Sequence, residues 1–347
     1  MKITIFHKDN FSQYNQLLYN FQLKLDIYYQ PAFLQLDAEI QKGQYEIFVA
    51  EEDSSIFIYP YIKLGFDKPF SSYYDLSSPY GYCGPYCNDE SFFLKAENAF
   101  LAHAEQSHFV SEFVRYHYLY NTDKRFSIEI DNFYNRTIVL LDLHQNWDVI
   151  WKNQFSPTNR NLVRKLEKEA YQFEISNSTQ SLEEFILMYN ETMKNVNANA
   201  FYYFPRDYYY KLFDELTDTV FLAKIVREGV TYASALFFAC NNIVTYYLSA
   251  RNLQFSKIPA GNLLLTNTIK WSIDKKMKWF NLGGGITNRK EDELFMYKQK
   301  FSKTYSNFFI GNRIHHKEVY NTIVASWIAE HGQDAYNSKK KLLQFYR

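Results

Sequence analysis

The sequence predicts an α/β (α+β) protein of two tandem domains, each a mixed, mostly antiparallel sheet flanked by helices. Three observations carry this reading. At 347 residues the chain exceeds one ordinary core and suits two of roughly 150–200 residues each. An apolar fraction of 47% allows both to bury a sizeable interior. Short alternating runs interleave with helical spacings throughout, and no apolar run reaches the 18 or so residues a membrane span needs.

The first domain is expected over 1–150. Ile3–Phe6 reads as a strand and Phe11–Leu25 has helical spacing. Tyr45–Ala50 and Ser55–Tyr61 read as paired strands about the turn Glu51-Glu52-Asp53-Ser54. An aromatic loop, Ser72 to Asn88, precedes a helix over Asp89–Gln106 capped by Asn88 or Asp89. Phe109–Tyr120 and Arg136–Leu143 read as further strands.

The pattern changes around Leu143–Trp151, and a second domain is expected over 151–315. Ser156-Pro157 opens a helix to about Ala170, since proline at the first helical position lacks only an N–H that would have no partner there. A strand (Tyr171–Ser176), helices near Ser181–Asn195 and Arg206–Leu216, and strands Thr219–Val226, Val230–Cys240 and Asn242–Ser249 follow. Next come a helix from Pro259 to Lys275, the strand Lys278–Leu282, a short helix Glu291–Lys300 and the strand Thr304–Ile310. A long helix from about His316 completes the chain.

Charge and cysteine content narrow the function. Lys+Arg and Asp+Glu both number 38, so bulk charge supplies no attraction to DNA or to an acidic membrane. Cys83, Cys87 and Cys240 lack the second pair a zinc site needs, so no metal is expected. The N-terminus has no apolar signal core, which points to the cytoplasm.

Four segments carry candidate chemistry. In Tyr73–Pro85, prolines and glycines shape a loop whose tyrosines and Asp75 put polar groups on an apolar wall; it is a substrate loop or a rigid packed connection. On the helix from Pro157, Arg160, Arg164 and Lys168 fall at i, i+4 and i+8, a grip for a diphosphate or a solvated face paired with Glu167 and Glu169. Lys278–Leu282 runs into Gly283-Gly284-Gly285, whose backbone suits a phosphate or a developing oxyanion. In Asp292–Phe301, Lys298 sits among apolar and aromatic neighbours, where its charge could face a reacting carbonyl or snorkel to solvent.

Taken in order, these segments resemble the FemAB-like, GNAT-type acyltransferases, the peptidoglycan bridge-forming group. The carrying motifs are Pro79-Tyr80-Gly81-Tyr82-Cys83-Gly84-Pro85, Arg160-Asn161-Leu162-Val163-Arg164-Lys165-Leu166-Glu167-Lys168, Tyr247-Leu248-Ser249-Ala250, Asn281-Leu282-Gly283-Gly284-Gly285 and Asp292–Phe301. The resemblance implies two GNAT-like domains with a cleft between them, and a last helix, 316–347, that returns to pack on the first domain. It implies that Lys298 steadies a tetrahedral intermediate, that Arg164 holds a phosphate, and that Tyr80, Tyr82, Tyr246 and Tyr247 line the cleft. Asp75 and Asp292 are the candidate bases. The donor is an acyl-CoA or an aminoacyl-tRNA, and the acceptor a small-molecule or nucleotide-linked amine. The segment Arg251–Gly261 lacks the usual pyrophosphate-loop pattern of CoA-dependent GNAT enzymes, and the chain has no coiled-coil insertion of the kind thought to help hold tRNA. A binding protein that kept this fold without catalysis is the rival reading.

Overall fold

The computed structural model describes residues 1–120 and 130–347. In chain order the elements are β1 (Lys2–Phe6), α1 (Phe11–Asn20), α2 (Pro31–Gln41), β2 (Gln44–Glu52), β3 (Ser55–Gly65), β4 (Tyr74–Ser77), β5 (Tyr86–Cys87), α3 (Glu90–Gln106), β6 (Phe109–Arg115) and β7 (Asp131–Asp142). They continue with α4 (Trp147–Asn153), α5 (Pro157–Glu167), β8 (Gln172–Ile175), α6 (Thr179–Asn195), α7 (Arg206–Glu215), β9 (Val220–Arg227), β10 (Val230–Cys240), β11 (Ile243–Arg251), α8 (Ala260–Asp274), β12 (Trp279–Gly283), α9 (Glu293–Lys298), β13 (Thr304–Ile314), α10 (Lys317–His331) and α11 (Gln333–Lys339).

The chain divides into two compact units. One holds Met1–Leu23, Tyr28–Asn135 and Asn307–Arg347; the other holds Lys24–Ile27 and Arg136–Ser306. The boundary expected near residue 150 lies inside β7 instead, because that strand runs through both units, as β13 does later.

In the first unit the strands lie β1-β2-β3-β4-β6-β13, antiparallel except for the parallel pair β4–β6. α3 links that pair. Phe48, Phe57, Tyr59, Phe93 and Phe100 pack edge to face in its core. In the second unit the strands lie β8-β9-β10-β11-β12-β7, again antiparallel except for one pair, β11–β12, linked by α8. One side of this sheet buries Val139, Leu141, Phe237, Val244, Phe280 and Leu282 against α5 and α8. The other packs Leu222, Leu236 and Leu248 against α6 and α7.

Several expectations are corrected. The helix expected to Leu25 ends at Asn20, with Gln22 at φ 52. α2 went unanticipated: its run of buried apolar residues has no amphipathic period, and Gln30 makes no capping bond. The aromatic loop contains β4 and β5. The long C-terminal helix is two, broken at Gly332.

Candidate active site

β12 ends in a turn that faces the short helix α9. Gly283 takes φ +76, a left-handed conformation that glycine adopts without strain. A Cβ on Gly285 would lie 2.4 Å from Asp292 Oδ1, so only glycine allows this approach. Asp292 is the N-cap of α9. Its Oδ1 accepts from the Phe295 amide at 3.0 Å, and its Oδ2 accepts from the Thr287 amide and hydroxyl at 2.8 and 3.0 Å.

Lys298 is the last residue of α9, and its side chain is buried. Its Nζ donates to the Gly284 carbonyl at 2.8 Å and stands 5.8 Å from the centre of the Tyr246 ring. Arg136, on β7, donates from Nη1 to the next carbonyl, Gly285, at 2.6 Å. Two cationic side chains thus hold two consecutive carbonyls. Burial pushes the Lys298 ammonium down to about 7, the Arg136 charge adds to this, and Asp292 opposes it. The group can therefore exchange a proton near neutral pH, as a catalytic acid or base must.

The other expected residues divide by environment. Burial raises the Asp292 carboxyl, but hydrogen bonds from the Thr287 and Phe295 amides outweigh it and hold the pKa below the usual range. That makes Asp292 a capping group and a poor base. Tyr246 packs beside Lys298, with burial raising its phenol to about 12. Tyr247 packs with the opposite cluster, and its hydroxyl meets that of Tyr208 at 2.6 Å. The two tyrosines do not share a face: Tyr246 packs with the cluster against α5 and α8, Tyr247 with the cluster against α6 and α7.

Arg160 Nη1 donates to the carbonyls of Trp151, Lys152 and Phe155, closing the end of α4. This engagement, and not a phosphate grip, accounts for that guanidinium in the fold. Arg164 is exposed beside Trp151, its guanidinium 5.6 Å from the ring.

Asp75, Tyr80 and Tyr82 belong to the first unit. Asp75 is fully buried and accepts from Ser111 at 2.6 Å, Tyr346 at 3.2 Å and Arg347 Nε at 2.7 Å. Burial raises its pKa while Arg347 opposes the shift. With both oxygens engaged by internal donors, Asp75 anchors the C-terminal segment and is not placed as a base. The Tyr80 amide donates to Asp37 at 3.0 Å, and the Tyr82 ring stands edge-on to Tyr28, Tyr118 and Phe308.

Sequence reasoning missed Arg136, which opens an expected strand without any pattern around it. Among the described residues no group of three or more His, Cys, Asp or Glu side chains could hold a metal ion. No described helix is long and apolar enough to cross a membrane.

Residues 155–298 match the family model described as acetyltransferase (GNAT) domain. No curated protein is a significant match to the chain. Among solved structures, FemX superposes with a TM-score of 0.72 at 12% identity, covering 93% of this chain and 100% of that one. A conserved protein of unknown function from Bacteroides thetaiotaomicron gives 0.57 at 11% identity, covering 89% and 100%. L-PGS from Bacillus licheniformis gives 0.53 at 15% identity, covering 83% and 94%. Phe155 through Lys298 thus match a GNAT domain, and the chain has the fold of FemX along most of its length.

Proposed function

We propose that the chain is an acyltransferase that moves an acyl or aminoacyl group onto an amine of a cell-envelope precursor: an amino sugar, a polysaccharide intermediate or a peptidoglycan peptide. The observation that carries this is a buried lysine held on a glycine carbonyl at the end of β12, with an ammonium pKa lowered to about 7. The matched GNAT domain supports acyl transfer, and the FemX fold supports an envelope amine as acceptor.

In the proposed reaction the acceptor amine attacks the donor's ester or thioester carbonyl. The new C–N bond forms, the C–O or C–S bond breaks, and the leaving oxygen or sulfur takes up a proton. The amine must lose one. A free alkylamine is mostly protonated at neutral pH, with a reference pKa of about 10.4. Lys298 can serve in either of two forms. Charged, it steadies the tetrahedral oxyanion; neutral, it takes the amine's proton and passes it to the leaving group.

A melting-temperature panel tests the reading with acetyl-CoA, longer acyl-CoAs, aminoacyl-tRNA, UDP-linked amino sugars and muropeptides. A ligand at about 100 times its Kd should stabilise the protein by roughly 2.7 kcal/mol. A shift with a CoA species assigns the donor as acyl-CoA, and one with tRNA alone assigns it as aminoacyl-tRNA. Donor and acceptor binding without turnover would leave the non-catalytic reading standing.

A further inference from the structure

β7 runs antiparallel to β12 and pairs Val139 with Gly283, the last residue of β12. β7 itself extends past that point, and Arg136 lies on the overhang, beside the glycine turn. The arginine stem covers Gly284: a Cβ there would stand 2.8 Å from Arg136 Cδ and 2.9 Å from the Thr137 carbonyl oxygen. Glycine at 284 thus lets the arginine reach across the turn. Its Nη1 donates to the Gly285 carbonyl at 2.6 Å.

The Asp292 carboxylate faces the Ile286 and Thr287 amides of the same turn. One peptide earlier, the Gly284 carbonyl accepts from Lys298 Nζ at 2.8 Å. Only φ and ψ of Gly285 separate the two carbonyls, since the peptides themselves are planar. Glycine has the widest choice of those angles, so the turn does not orient its own oxygens. An outside group must do so, and Arg136 holds the second of them.

We propose that Arg136 is a positioning residue for Lys298: by holding the Gly285 carbonyl it fixes the Gly284 carbonyl on which the ammonium lies, and it brings a second positive charge to bear on the lysine. For its part in turnover this rests on the acyl-transfer reading above. The charged and titratable groups facing Lys298 are Arg136 on β7, Asp292 on α9 and Tyr246 on β11, whose phenol stays neutral below about 12. Two cations share one carboxylate, and that carboxylate is already engaged by the turn. Burial is the larger cause of the lysine's easy loss of its proton, and Arg136 is the next. Without the arginine charge the lysine keeps its proton to higher pH.

Carbon-13 NMR of protein labelled at lysine Cε reads this titration without any substrate, the Lys298 signal being the one that Lys298→Met removes. The wild type titrates near 7. Arg136→Gln moves the midpoint up by about one pH unit, and Arg136→Lys, which keeps the charge, restores it. Gly284→Ala pushes the arginine stem aside and moves the midpoint the same way. A wild-type midpoint at the ordinary 10.5 overturns the proposal before any variant is made. So does a folded Arg136→Gln or Gly284→Ala whose midpoint stays in place. With a donor in hand, kcat of Arg136→Gln falls by about tenfold, KM changes little, and the pH–rate profile moves with the NMR midpoint. A profile that stays where it was overturns the positioning role. Absence of turnover with every donor in the wild type would sink the acyl-transfer reading, while the NMR midpoints still decide whether Arg136 governs Lys298.

Discussion

The two units share one winding order and finish it differently. Each runs antiparallel for three pairings, then parallel, then antiparallel, with a helix linking the parallel pair. In the first unit the parallel pair is prolonged. The Ser78 amide reaches the Phe113 carbonyl at 2.8 Å, the Cys83 amide reaches Arg115 at 2.9 Å, and Cys83 bridges Tyr116. The buried acids on it are satisfied: Asp75 by Ser111, Tyr346 and Arg347, and Glu112 by Tyr59 at 2.6 Å and His315 at 2.8 Å, with Arg313 nearby. In the second unit the same pair parts early and leaves two polar atoms without partners. The lesson is that the same topology carries bonded acids on its parallel strands in one unit and unbonded neutral polar atoms there in the other, although β13 of the first unit also holds Asn312 Oδ1 and Arg313 Nε without hydrogen-bond partners. Unsatisfied buried groups are a reservoir that binding can relieve.

The largest expected effect breaks the first unit. Glu112 is held down to about 2: its burial is outweighed by Arg313 and His315. Glu112→Gln removes the charge between them and should destabilise the protein by about 3–5 kcal/mol, read from urea unfolding. Because the folded pKa lies below the unfolded value, this contribution is present above about pH 4.5 and fades as pH falls toward 2. A change under 1 kcal/mol would contradict this account of its buried acids.

Next comes the second unit. Lys298→Ala should cost about 3–4 kcal/mol of barrier, measured as kcat/KM once a donor is identified. A loss under tenfold discards Lys298 as the central residue. Lys298→Met should also stabilise the fold at pH 6, where the native lysine bears its full burial cost. Between the folded value near 7 and the unfolded value of 10.5 the unfolded chain binds more protons, so wild-type stability rises with pH and the variant's advantage fades. Melting curves at pH 6 and 10 check the sign.

The pH–rate profile sharpens the chemistry. If charged Lys298 steadies the oxyanion, activity falls as pH rises through about 7; if neutral Lys298 is the base, activity rises there. Gly285→Ala should strain the Asp292 cap by about 1–3 kcal/mol and lower turnover with it. Smallest of all, Tyr247→Phe removes one hydroxyl contact with Tyr208 and should cost about 1 kcal/mol of stability, seen in its melting curve.

Local patterns made much of this legible from the sequence alone. Alternation and turn residues located the strands, with Val230–Cys240 read to its end residues, and Ser156-Pro157 marked the start of α5 through its own capping chemistry. The triple glycine and Lys298 stood out because glycine runs and a lysine among aromatics are unusual locally. The fold alone decided the pairings. Arg160 and Arg164 look alike on a helical wheel, yet one closes the end of α4 and the other is exposed. Tyr246 and Tyr247 are neighbours whose faces differ. Thr245 and Asn281 are 36 residues apart, and nothing short-range reports that parallel pairing sets them side by side. Propensity and capping act over a few residues and can be read along the chain. Burial, partner satisfaction and the lowered pKa of a lysine depend on groups that meet only when the chain folds.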